Sequence, residues 1–171
     1  MFRYISYLWI TLSLLFVQIF ILDQLSLAMC LRPMLFPLIV ILLPLEWRTI
    51  WVLLVSLAVG VIMDASLGGA GLYTATLLPL AVVRRSMMFL TTGRSIEPGD
   101  QTPLLSRISL RQLMIYVSSM MTLHHVLFFS LEAMSVAAIL HLIATIICST
   151  LLSIVIAWPI VRLFLSKIVV R

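Results

Sequence analysis

Six apolar stretches alternate with short polar breaks along the 171 residues, and this pattern predicts an all-α protein. They run over 4–22, 33–45, 49–63, 70–83, 110–131 and 134–165. Asp23-Gln24, Arg32, Glu46-Trp47-Arg48 and Arg84-Arg85 bound the first four. At about 1.5 Å per residue, the first and the last two are long enough to cross a hydrocarbon layer of about 30 Å. The second to fourth are short for that task, since a simple span takes about 20 residues. Pro33, Pro37, Pro44 and Pro79 fall in or beside these short stretches, where each removes a backbone donor, so kinked or broken helices are expected. The pattern therefore predicts a polytopic membrane protein: one integral domain over 1–171, folded as a compact six-transmembrane-helix bundle with short or kinked central helices. The one substantial polar connection, 84–109, holds "TTGRSIEPGDQTPLLSR" and reads as a flexible loop.

Composition strengthens this reading. Apolar residues make up 63% of the chain and charged residues 10%, with a mean hydropathy of +1.24. A soluble domain carries about 45–50% apolar residues, and one this small lacks the interior volume to hide so many more. The net charge of +5 does not indicate nucleic acid, because the basic residues flank apolar segments instead of clustering on one face. With six spans and an interior N-terminus, Arg3, Arg48, Arg84, Arg85, Arg94, Arg107, Arg111, Arg162, Lys167 and Arg171 lie inside and Arg32 alone outside. That asymmetry obeys the positive-inside rule, puts both termini and the 84–109 loop in the cytoplasm, and is lost if one span is added or removed. The first stretch is expected to be a retained helix: its apolar core exceeds that of a signal peptide, and Met29 is too large to precede a lipoprotein-type cleavage at Cys30.

The candidate chemistry is sparse. "GVIMDASLGGAGLY", 60–73, ends an apolar run on Asp64, with Gly60 one turn earlier on the same helix face and Gly68, Gly69 and Gly71 behind it. Two readings of Asp64 stand at this point: a solvated residue at the outer end of a helix, or a polar anchor that fixes a close-packed hairpin or meets a partner. The glycines favour close helix approach under both. His124 lies eight residues before Glu132 and His141 nine after it, so an antiparallel hairpin turning near Glu132 would bring the two imidazoles to similar depth. A structural polar contact between them, or one imidazole beside a polar cavity, is expected there. A metal site is not expected, because it would need further ligands around the ion. Asp23, Asp64 and Glu132 fall on the exterior side. Cys30 and Cys148 should sit at different depths as two unpaired thiols. No nucleophile-elbow, zinc-protease or phosphate-loop motif occurs, and neither an enzyme nor a cofactor is expected.

"PLIVILLPLEWR", 37–48, and "LAVGVIMDASLGGAGLYTATLLPLAVVRR", 57–85, resemble the middle of the bacterial rod shape-determining protein family MreD. The shared features are Gly-x-x-x-Asp closing a helix, here Gly60 to Asp64, and a glycine opening the next, here Gly71. "HHVLFFSLEAMS", 124–135, is similar to the fifth-to-sixth helix junction of Bacteroidetes-type members. The turn after Asp64, Ser-Leu-Gly-Gly-Ala-Gly, departs from the family in its glycine content. The resemblance implies a non-enzymatic scaffold of the lateral cell-wall synthesis complex in the bacterial inner membrane. It also implies a single-span MreC-like partner and, indirectly, MreB-like actin and peptidoglycan synthases, with membrane lipid around the bundle and no cofactor. The implied fold is that of the substrate-binding subunits of energy-coupling-factor vitamin transporters, and membership of such a transporter is the alternative. Against that alternative, 4–22 contains no alanine for a docking face. The residues carried forward as structural or partner-interface candidates are Pro37, Gly60, Asp64, Gly68, Gly71, His124, Glu132 and His141.

Overall fold

The computed structural model describes residues 2–24, 31–44, 47–93, 109–133 and 139–169, with side chains over 8–163. The regular elements among them are all helical. Helix α1 (Phe2–Val17) passes into a π-helical turn, Gln18–Leu22. It is followed by the short α2 (Pro37–Leu42), α3 (Thr49–Leu67), α4 (Leu72–Thr92), α5 (Leu110–Ala133) and α6 (Ile139–Val169). Sequence neighbours α3–α4, α4–α5 and α5–α6 pack against one another, and α2 lies among α1, α3, α4 and α5.

Three helical stretches, Thr49–Leu67, Leu110–Ala133 and Ile139–Leu163, are long and apolar enough to cross a membrane. The distribution of polarity across the bundle agrees with a lipid surround. Gln18, Arg84, His124, His125, Ser149 and Ser153 are buried, whereas Phe20, Trp51, Leu90, Leu140, Leu151 and Val155 face outward. Water as solvent would penalise that outer surface, and lipid does not.

The helix ends differ from the sequence expectation where polar residues have internal partners. Helix α3 continues past Met63 to Leu67 and stops at Gly68, whose φ of +71° is the left-handed conformation that favours glycine. Helix α4 does not end at Val83. It runs through Arg84 and Arg85 to Thr92, stopping at Gly93 with φ +69°. The two arginines do not mark a helix end because both are engaged within the chain: Arg84, buried, donates to the Leu43 carbonyl and Arg85, half-buried, to that of Trp47. Pro79 does not interrupt α4 either; it occupies an exposed position within the helix. The start of α5 carries a reciprocal cap. Ser109 Oγ accepts from the Gln112 N–H, and Gln112 Oε1 accepts from the Ser109 N–H.

The second predicted stretch departs furthest from a helix. Only Pro37–Leu42 is helical, with Pro37 in its first turn, where the missing N–H costs nothing, and Leu43 leaving it at ψ 152°. Residues 32–35 have no regular structure. Met34 through Leu43 are nonetheless buried throughout. Arg32 meets Glu132 at one end of α5, while the Ile41 carbonyl faces Tyr116 sixteen residues back along it. Those α5 positions are about 24 Å apart, whereas a helix from Arg32 to Ile41 would rise only about 14 Å. Leaving the front of the segment unwound supplies the missing reach.

Candidate functional site

The hairpin between α3 and α4 is built around Asp64. From the last turn of α3, its Oδ1 accepts from the Tyr73 N–H at 3.0 Å. Its Oδ2 accepts from the Thr74 N–H at 3.0 Å and from the Thr74 hydroxyl at 2.6 Å. Tyr73 and Thr74 lie in the first turn of α4, whose N–H groups have no acceptor within their own helix. The residue at the α4 N-cap is Gly71, with φ +91° and no side chain to fill that role. Asp64 therefore caps the next helix from across the turn, and its negative charge meets the positive end of the α4 dipole. Close approach explains two of the glycines. A Cβ on Gly60 would stand 2.7 Å from Thr74 Cα, and one on Gly69 would stand 2.6 Å from Asp64 Oδ1.

A second constellation holds the unwound front of the second segment. The Gln18 amide, in the π-helical turn of α1, pairs with it at two points, donating to the Pro33 carbonyl at 3.3 Å and accepting from the Leu35 N–H at 2.6 Å. From α6, Ser149 Oγ accepts from the Arg32 N–H and Ser153 Oγ from the Met34 N–H. Ser153 also meets His125 Nε2 at 3.2 Å. His125 Nδ1 lies 2.8 Å from the Met121 carbonyl, which only accepts, so the proton resides on Nδ1. Nε2 is then the acceptor and the Ser153 hydroxyl its donor. One directed chain results, from the Met34 N–H through Ser153 and His125 to the α5 backbone. Further along, the Tyr116 hydroxyl donates to the Ile41 carbonyl at 3.5 Å, and Arg84 donates to the Leu43 carbonyl. Side chains thus supply the partners that a continuous helix would have given this backbone.

Between the two constellations lies an aromatic group. Phe36 meets Tyr73 edge-on, with ring centroids 5.5 Å apart, and His124 at 5.0 Å; Tyr73 in turn packs on Phe128 at 5.2 Å. His124 is fully buried, and neither ring nitrogen has a hydrogen-bond partner. At the rim, Arg32 forms an ion pair with Glu132, and its guanidinium carbon lies 6.0 Å from the Phe128 ring centre. Burial opposes the Arg32 charge, but the Glu132 hydrogen bond and the nearby carboxylates outweigh it, so the Arg32 pKa is raised.

Among the sequence candidates, Gly60, Asp64, Gly68 and Gly71 converge on the one hairpin, while Pro37 stands apart at the start of α2. Glu132 is engaged with Arg32. His124 and His141 do not share an environment as expected. His124 is in the core and His141 on an exposed position of α6, where its carbonyl accepts the Thr145 hydroxyl. The link across that hairpin joins His125 and Ser153 instead. Cys148 is free and exposed, and Cys30 falls outside the described residues. Gln18, Tyr116, Ser149, Ser153 and Thr74 belong to the two constellations and were not singled out in the sequence, and Arg84 was read there only as a flanking charge. Ser149 and Ser153 were the most findable, being four residues apart in an apolar helix and therefore on one face. Among the described residues no group of three or more His, Cys, Asp or Glu side chains is placed to hold a metal. Comparison with family models, curated proteins and solved structures finds no match to this chain.

Proposed function

We propose that the chain is a non-enzymatic scaffold in the bacterial inner membrane, an MreD-like component of the lateral cell-wall synthesis complex. In this reading it crosses the membrane six times with both ends in the cytoplasm, the half-unwound segment that follows Arg32, through Leu43, and helix α4 acting as two of the spans. The observation that carries the scaffold role is the use made of the interior polar groups. Asp64, Gln18, Ser149, Ser153, His125 and Arg84 each engage the backbone or a neighbour within the chain. Polar groups committed in this way fix a shape. Such a rigid bundle suits the capture of a single-span MreC-like helix, and the sequence resemblance supplies the partner's class. MreB-like actin and wall synthases would join through that partner.

One observation favours the alternative, a solute-binding subunit of an energy-coupling-factor transporter. The aromatic group beneath the Arg32–Glu132 pair includes a buried histidine with two unbonded nitrogens, which would suit a small polar ligand. Affinity capture of the tagged full chain from native membranes, with mass spectrometric identification, separates the two. Recovery of a single-span MreC-like protein with wall synthases supports the scaffold. Recovery of a paired ATPase with its membrane coupling subunit refutes it in favour of the transporter.

A further inference from the structure

A groove of about 720 Å³ runs along the outer face of α5 against Trp158 of α6. Arg111 stands at its mouth, exposed, and Ile115, Ser118, Ser119 and Thr122 follow on the same helix face. We propose that this groove binds one anionic phospholipid, with its phosphate on Arg111 and an acyl chain lying along Ile115, Ser118 and Trp158. The inference needs only that α5 and α6 cross the membrane and is independent of the scaffold role.

Three properties select this occupant. The first is charge: an arginine stands at the end of the groove, and no acidic side chain is among the residues lining it. Guanidinium groups bind phosphate through two parallel hydrogen bonds. The second is length. From Arg111 to Thr122 the groove extends about 16 Å, close to half of a hydrocarbon core of about 30 Å, so it matches an acyl chain of one leaflet. A transmembrane helix from a partner would need a face reaching through both leaflets. The third is the character of the floor. The Ser119 hydroxyl donates to the Ile115 carbonyl at 2.7 Å and the Thr122 hydroxyl to that of Ser118 at 2.8 Å. With these two donors turned onto their own helix, the floor at Ser119 and Thr122 offers carbon to a neighbour, and the small Ser118 side chain leaves room beside it.

Trp158 serves as the reporter. The full chain carrying Trp9→Phe, Trp47→Phe and Trp51→Phe is reconstituted into phosphatidylcholine vesicles. Its fluorescence is then titrated with bromine-labelled phosphatidylglycerol or bromine-labelled phosphatidylcholine. One arginine–phosphate contact at a membrane surface predicts half-maximal quenching at an about fivefold lower mole fraction of the anionic lipid. Arg111→Gln removes the preference and Arg111→Lys retains most of it. Ser118→Leu, which fills the hollow and leaves the charge, also abolishes it. Far-UV circular dichroism verifies that each variant keeps its helix content. Equal quenching by the two lipids overturns the proposal, as does a preference that survives Arg111→Gln or Ser118→Leu. Absence of quenching by either lipid overturns it too, since protein would then cover the groove.

Discussion

Replacing Asp64 by alanine removes all three hydrogen bonds that the carboxylate accepts from α4. Loss of a helix N-cap costs about 0.5–2 kcal/mol, and a hydrogen bond to a charged group contributes about 1.5–3 kcal/mol. The three bonds share one carboxylate and do not add fully, so the expected loss is about 2–4 kcal/mol. At 1.36 kcal/mol per factor of ten, the unfolding constant rises by about 30- to 1,000-fold. The assay is reversible unfolding in mixed micelles of a mild detergent and dodecyl sulfate, followed by far-UV circular dichroism. Thr74→Val, which deletes the hydroxyl and keeps the backbone N–H, should cost about 1 kcal/mol in the parent and almost nothing once Asp64 is alanine. The reasoning is refuted if Asp64→Ala unfolds within about 0.5 kcal/mol of the parent, the usual range for a surface substitution. It is refuted equally if Thr74→Val costs the same in both backgrounds. A stable Asp64→Ala protein that fails to capture its membrane partner would assign the carboxylate to an interface, the second of the readings the sequence left open.

The adjacent histidines should respond in opposite directions to phenylalanine. His124→Phe removes two unbonded buried nitrogens and should leave thermal stability unchanged or higher, whereas His125→Phe strands the Ser153 hydroxyl and should cost about 1–3 kcal/mol in the same unfolding assay. The glycines of the hairpin should separate by mechanism. Gly60→Ala drives a methyl group to 2.7 Å from Thr74 Cα and should cost about 1–3 kcal/mol. Gly68→Ala has open space around it and loses about 1–2 kcal/mol to the left-handed backbone alone, and Gly68→Asn should recover most of that. Cys148, outward-facing on α6, should resist a charged maleimide in intact vesicles of the Cys30→Ser protein and react once dodecyl sulfate is added. Fast labelling in vesicles would show water at that face.

What the sequence revealed and concealed follows from the kind of signal each feature leaves. Helices α5 and α6 were legible because long apolar runs leave few alternatives, whereas 49–63 read as too short for a span and α3 gained its length by running on through Asp64 to Leu67. The extent of α4 was not, since an arginine pair is the ordinary sign of a helix leaving the membrane, and only the tertiary structure shows Arg84 engaging the Leu43 carbonyl. Residues 33–45 were recognised as too short and rich in proline. A short buried apolar run reads alike as helix or extended chain, so the unwinding before Pro37 could not be read. Residue counting gave His124 and His141 a common depth and said nothing about rotation about each helix axis, which turns one inward and the other out. Asp64 was found for its position, yet the acceptor role needed the α4 N-terminus beside it.

The unwound stretch before α2 also bears on the order in which the chain acquires its structure during synthesis. Arg32 and Met34 hydrogen-bond to serines 117 and 119 residues further along. At about 5–20 residues per second, a ribosome needs roughly 6–24 s to make the intervening chain. During that interval the segment has no α6 to receive its backbone donors, and its six-residue helix is far too short to enter lipid unaided. On the proposed six-span topology it would wait inside the insertion machinery or at the membrane surface, its front held by Gln18, until α6 arrives to receive the Arg32 and Met34 donors. Assembly on that topology runs out of sequence order: an early segment is the last to have its backbone donors secured. A chain interrupted before Ser149 would leave the translation machinery with its second segment still unseated, which makes the C-terminal third of this protein a checkpoint for the integrity of the whole.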